Sequence, residues 1–172
     1  MTARSRALRA TIVAATLLVI GIALATPDAS PTAMGWFIAA VALACAAGAT
    51  ALPDGHLSTA TIVLLLVYWL LVVDSALSAL TPVAAAGIVV VHTAASIESI
   101  TPPGSRLDRA TYRLWALRTL FVIGVGFALW LLAVGADRIE SPGDAVLVVL
   151  FGLMAGTGIW AMRVRLLSSP NE

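Results

Sequence analysis

Three ionisable side chains, Asp74, His92 and Glu98, lie within or beside long apolar stretches of this sequence. A titratable group in hydrocarbon is costly, so each of the three is a candidate for a proton or ion path. A helical hairpin that includes all three residues would separate them along its length rather than bring them together. We therefore expect Asp74 and His92 to support helix packing, through hydrogen bonds between neighbouring helices.

A second set of candidate residues is basic. Arg106, Arg109 and Arg113 recur at i, i+3 and i+7, which places them on one face of a helix. Arg163 and Arg165 follow the next apolar stretch and can join the same collar. Planar guanidinium groups match phosphate oxygens, so these residues predict contacts with anionic lipid headgroups or an acidic partner. Membrane topology by itself also requires basic residues at such a position.

The motifs of common enzymes and metal sites are missing from the sequence. It has no Walker loop, no Rossmann glycine pattern after a strand, no HExxH, no paired cysteines and no G-x-S-x-G. We therefore expect no enzymatic activity, catalytic residue, cofactor or metal site, and no nucleic-acid binding. The single cysteine, Cys45, has alanine neighbours and fits a small packing position.

The elements that position these residues are apolar stretches of membrane-spanning length. Cutting the sequence at its charged residues leaves six uncharged stretches of 18 to 25 residues. The composition agrees, with 60% hydrophobic residues, 11% charged residues and a mean hydropathy of +1.01. We predict one all-α, membrane-embedded domain over residues 1–172, with six transmembrane helices arranged as three hairpins. The predicted spans are 8–26, 33–52, 57–79, 82–98, 113–136 and 144–165.

The orientation follows from the ten basic residues, which are all arginine. With six crossings, nine of the ten lie on one side, and an excess of basic residues marks the cytoplasmic side. We therefore expect both termini to be cytoplasmic in a multi-pass protein of the cell inner (plasma) membrane. The exclusive use of arginine, with abundant alanine, leucine, valine and glycine, indicates a bacterial genome rich in G and C.

The amino terminus allows a second interpretation. Arg4, Arg6 and Arg9, the apolar stretch after them and the sequence Ala23-Leu24-Ala25 resemble a secretory signal peptide. The apolar stretch is longer than the core of a usual signal peptide, and five further stretches follow it. A retained first span is the favoured interpretation.

The turn between the third and fourth spans also has two alternatives. It falls either at Asp74-Ser75 or at Leu80-Thr81-Pro82. Proline is tolerated in a first helical turn and disturbs a helix interior, which favours the later turn. A full span length favours the earlier turn. With the later turn Asp74 lies inside the outer leaflet, and with the earlier turn it caps a helix at the interface.

Residue size predicts helix contacts. Ala40, Ala44 and Gly48 recur at i, i+4 and i+8 on one face of the second span, where they permit close approach of another helix. Tyr68 and Trp69 lie deep in the third span, and we expect them to occupy packed core positions.

Two functional hypotheses follow. The first is a non-enzymatic accessory or scaffold subunit, whose helices pack in the lipid bilayer against other membrane subunits or copies of itself. The second is a small transporter or permease component that uses Asp74, His92 and Glu98.

Overall fold

The computed structural model describes residues 3–52, 56–75, 77–100 and 108–138, and its ordered elements are α-helices. These ranges contain five helices: α1 (Ala3–Ala25), α2 (Ala33–Ala51), α3 (His56–Val72), α4 (Thr81–Ile100) and α5 (Arg109–Asp137). All but α3 are long and apolar enough to cross a membrane, and α3 is a shorter apolar helix. These helices indicate a multi-pass membrane protein. The predicted sixth span, 144–165, lies outside the described residues.

Three helices differ in length from the predicted spans. Helix α3 ends at Val72, before the end of the predicted third span, 57–79. By contrast, α1 begins at Ala3 rather than residue 8, and α5 begins at Arg109 rather than residue 113. The extra turns of α1 and α5 carry arginines, which extend a helix without adding to its hydropathy. Hydropathy therefore underestimates the lengths of these two helices.

The connection between α3 and α4 contains both of the predicted turns. Helix α3 ends before Asp74, and α4 begins at Thr81 with Pro82 in its first turn, where proline is tolerated. Between them, Ser75 Oγ accepts a hydrogen bond from the Leu77 amide at 3.3 Å. Serine side chains thus favour turns over helix in this segment. Asp74 is exposed in the connection, and it is not part of a helix.

Helix α1 runs antiparallel to α4, and α2 runs antiparallel to α3. Gly35, near the amino end of α2, lies against Val72 at the end of α3. Gly48, near the carboxyl end of α2, lies against Leu57 at the start of α3. At the α3 end of this hairpin, the Ser30 amide donates a hydrogen bond to the Val72 carbonyl at 2.9 Å. The α1–α2 and α3–α4 connections therefore meet at the same end of the four helices.

Helix α2 packs through a face that the sequence did not identify. Thr32 caps the helix by accepting a hydrogen bond from the Gly35 amide at 3.2 Å. The predicted face was wrong in its register, since Ala40 and Ala44 are exposed. Gly48 alone of that set makes a close contact. The buried positions of α2 are Gly35, Ala39, Ala42, Ala46 and Ala49.

Two apolar clusters fill the space between α1, α2, α3 and α4. The prediction that Tyr68 and Trp69 pack in the core is confirmed, because both are buried in the larger cluster. The buried members of the larger cluster are Val19, Ile20, Ala23, Ala39, Ala42, Leu65, Tyr68, Trp69, Val72, Val73 and Ala84. Those of the smaller cluster are Ile12, Ala15, Ala46, Val91 and Ala94.

The chain divides into two compact units, and the boundary falls within α5. The first unit, Met1–Ile123, contains α1 to α4 and the first half of α5. The second unit, Gly124–Glu172, begins with the second half of α5, where the rings of Phe127 and Trp130 stack with their centroids 5.9 Å apart. No residue of α5 is buried.

The close approach of α1 and α4 at Gly87 generates a first prediction. A Cβ at this position would lie 2.6 Å from Val19 Cγ2, which belongs to a buried, stiff side chain. The overlap costs about 1–3 kcal/mol, and replacing a helical glycine with alanine returns about 1 kcal/mol. We expect Gly87→Ala to lower the free energy of unfolding by about 1 kcal/mol, measured as a lower melting temperature in detergent.

The matched control for Gly87→Ala is Gly21→Ala in α1. A Cβ at Gly21 would meet nothing within 4 Å, so this variant should melt at the wild-type temperature or slightly above it. Equal melting temperatures for the two variants would contradict the close α1–α4 contact.

Candidate functional site

An ion pair connects α1 and α4 at one end of the four-helix arrangement. Arg9 Nε donates a hydrogen bond to Glu98 Oε1 at 2.5 Å. Glu98 lies in the last turn of α4 and its side chain is 9% exposed, whereas that of Arg9 is 24% exposed. A partly buried carboxylate needs such a partner, because an unpaired charge there is strongly destabilising. Glu98 is therefore a structural contact between two helices.

The sequence pattern identified Glu98 but not its partner. By its position, Arg9 indicates only membrane orientation. The pairing depends on the adjacency of α1 and α4, which brings together two residues 89 positions apart in the sequence. The signal was present as two opposite charges near the same predicted membrane surface, but nothing local in the sequence shows that their helices touch.

The other two predicted intramembrane residues lie apart from Glu98. Asp74 is exposed in the α3–α4 connection, at the opposite end of α4 from Glu98. His92 is exposed in the second half of α4. The 17 helical positions from Thr81 to Glu98 alone correspond to about 26 Å of rise. The structure thus does not bring Asp74 and Glu98 together.

A threonine pair connects α4 to α5. The hydroxyl groups of Thr93 and Thr119 lie 3.1 Å apart. Thr119 can donate to Thr93, which donates in turn to the Val89 carbonyl of its own helix at 2.9 Å. In lipid, a threonine hydroxyl forms hydrogen bonds either with the backbone of its own helix or with a polar group of a neighbouring helix. This contact links α5 to the second half of α4.

A groove of about 400 Å³ lies beside the threonine pair. Its polar side chains come from α4 and α5, and the guanidinium carbon of Arg118 lies 6.0 Å from the centroid of the Trp115 ring. This distance is at the limit of a cation–π contact. The lining residues are Ile62, Ile88, Val89, His92, Thr93, Trp115, Arg118, Thr119 and Val122.

The groove combines a cation with apolar walls, which suits an amphiphilic anion. His92, one of the predicted polar residues, lines it together with Arg118, which the sequence pattern had indicated only as a marker of orientation. A second groove of about 350 Å³ lies on the other side of the threonine pair, lined by residues of α1, α4 and α5. None of the described residues that line this second groove is charged.

The predicted basic collar is described only in part. Arg109 and Arg113 are exposed in the first two turns of α5. Arg106, Arg163 and Arg165 lie outside the described residues. Neither Arg109 nor Arg113 lines either groove. Both side chains are exposed, so headgroups or acidic residues can reach them.

Family models, curated proteins and solved structures were each compared with the chain, and none matches it. Within the ranges that the structure describes, no three His, Cys, Asp or Glu side chains group in a way that could hold a metal ion. What the chain does must therefore be inferred from the chemistry of its described side chains.

The Arg9–Glu98 pair generates a second prediction. Glu98→Gln keeps the size of the side chain but removes its charge, so the charge-assisted hydrogen bond becomes an ordinary one. We expect the free energy of unfolding to fall by about 1–2 kcal/mol, since Arg9 is partly exposed and its charge is partly screened. The measurement is thermal unfolding of the purified protein in detergent.

Asp74→Asn is the control, because it makes the same chemical change at an exposed position outside the helices. Its stability should stay within about 0.5 kcal/mol of wild type. Exchange of the two charges, Arg9→Glu with Glu98→Arg, should recover part of the loss. A Glu98→Gln variant as stable as Asp74→Asn would show that the ion pair does not stabilise the protein.

Proposed function

We propose that this chain is a non-enzymatic subunit of a larger membrane complex, whose helices pack against other membrane proteins or further copies of itself. In this proposal the chain crosses the bacterial inner membrane six times, and both termini are cytoplasmic. The lipid bilayer is its solvent, and no cofactor takes part. The proposal concerns assembly rather than chemistry.

The observation that carries the proposal is the exposure of α5. This helix is 29 residues long and apolar, yet none of its residues is buried. Its contact with α4 uses the face around Thr119. Leu114 and Leu117 lie more than 130° around the helix from Thr119 and are about half exposed. That face is accessible to a helix of another subunit.

The distribution of charge supports the proposed orientation. The antiparallel packing of α1 and α4 puts the amino terminus of α1 and the carboxyl end of α4 at the same end, where Arg9 meets Glu98. Helix α5 begins nine positions after Ile100, and its first turns carry Arg109 and Arg113. Basic residues gathered at one end of a helical membrane protein favour the cytoplasm for that end.

The basic collar fits the same proposal. Arg109 and Arg113 are exposed, so they can contact anionic headgroups or acidic residues of a partner at the cytoplasmic surface. Transport through Asp74, His92 and Glu98 is the other function that the sequence suggests. Asp74 and Glu98 lie at opposite ends of α4, and Glu98 is already paired with Arg9, so no specific geometry favours that function.

The subunit proposal generates a third prediction. Purified from its own cells in a mild detergent, the wild-type chain should migrate as a complex with a constant ratio of components, either a second protein or further copies of itself. Replacing Leu114 and Leu117 with alanine removes apolar contacts from the free face of α5. We expect this double variant to lose at least half of the associated component, as measured by native mass spectrometry.

The matched control replaces Leu17 and Leu18, which are similarly exposed on α1, with alanine. This control should retain the complex while changing the same number of side-chain atoms. If the wild-type chain is a monomer under every mild condition tested, the subunit proposal is wrong. Equal loss in both double variants would contradict the role of α5.

A further inference from the structure

Arg118 lies nine positions, about two and a half turns, inside α5, a helix of membrane-spanning length. It immediately precedes Thr119, whose hydroxyl contacts Thr93 of α4. Thr93 lies five positions, or about 7.5 Å of helix rise, from Glu98, towards the middle of α4. Arg118 therefore starts well inside the apolar part of the helices. A cation at such a position requires a counter-charge or access to the headgroups.

The described part of the chain offers Arg118 no acidic partner. The salt bridge found there is the one between Arg9 and Glu98. Arg118 contacts the Trp115 ring, and it is exposed at the groove of about 400 Å³. The same groove holds His92 on its α4 side. Among the described residues, no acidic side chain neutralises the charge of Arg118, so an anionic ligand can do so.

We propose that this groove binds one anionic phospholipid, whose phosphate is held by Arg118 and whose acyl chain covers the apolar walls formed by Ile88, Val89 and Val122. The guanidinium fork gives two parallel donors to phosphate oxygens, and His92 and Thr119 offer further polar groups. Basic pockets between membrane helices on the cytoplasmic side are known to suit anionic headgroups.

The walls of the groove select a lipid over a free anion. Inorganic phosphate would satisfy Arg118 but would leave the aliphatic side chains uncovered. A phospholipid meets both requirements, because its phosphate lies next to its acyl chains. Arg118 and Val122 are placed in the same way, one helical turn apart on α5. The site differs from the basic collar, whose described residues Arg109 and Arg113 do not line the groove.

Lipid titration of the purified, delipidated protein tests the proposal. Native mass spectrometry counts bound molecules of phosphatidylglycerol or phosphatidylcholine. We expect one phosphatidylglycerol to bind at least tenfold more tightly than phosphatidylcholine, and excess inorganic phosphate not to displace it. Arg118→Gln should weaken that binding roughly tenfold, the size expected from loss of a charge-assisted hydrogen bond. Arg138→Gln, just beyond the end of α5 and outside the lining of the groove, should retain it.

A second variant addresses the shape of the site and not its charge. Val122→Trp keeps Arg118 but fills the groove, so the bound phosphatidylglycerol should again be lost, with a melting temperature near that of wild type. Arg118→Lys should retain part of the binding, which separates loss of charge from misfolding. Undiminished binding in Arg118→Gln, or equal binding of the two lipids by wild type, would overturn the proposal. The lipid site is independent of the proposed subunit function, since it needs no protein partner and is measured on the isolated chain.

Discussion

Helices in a bilayer gain little from burying apolar surface, because lipid tails are as apolar as leucine. Their association depends on close van der Waals contact and on a few polar contacts, and the described helices use both. Gly87 brings α4 against Val19 of α1, and Gly35 brings α2 against Val72 of α3. A bulky residue at either glycine would separate the helices and forfeit many contacts at once.

Helix α4 makes the contacts that join α1 and α5. It packs against α1 through Gly87, is joined to α1 by the Arg9–Glu98 pair, and meets α5 through Thr93. Its residue His92 lines the groove beside Arg118. The ion pair stabilises one end of the α1–α4 contact, and the threonine pair positions α5. The proposed lipid site is the space that remains between α3, α4 and α5.

The helices themselves could be predicted from the sequence, because hydrocarbon imposes a length and an absence of charge that hydropathy records. The α3–α4 connection was predicted only in part. Asp74 and Pro82 mark its two ends, whereas the sequence suggested that a single turn lies at one or the other. Helix adjacency was not predictable: Ala40 and Ala39 are equally small, and only the partner helix decides that Ala39 is buried. For the same reason, the pairing of Arg9 with Glu98 could not be predicted.

The proposed six crossings require that α3, although it has only 17 residues, crosses the membrane as a separate helix between α2 and α4. The most direct test places single cysteines at its two ends, His56→Cys and Asp74→Cys, in a Cys45→Ser background; both positions are exposed. A membrane-impermeant maleimide should label Asp74→Cys in intact cells and His56→Cys only after the cells are permeabilised. Labelling of both positions from the same side would contradict the account.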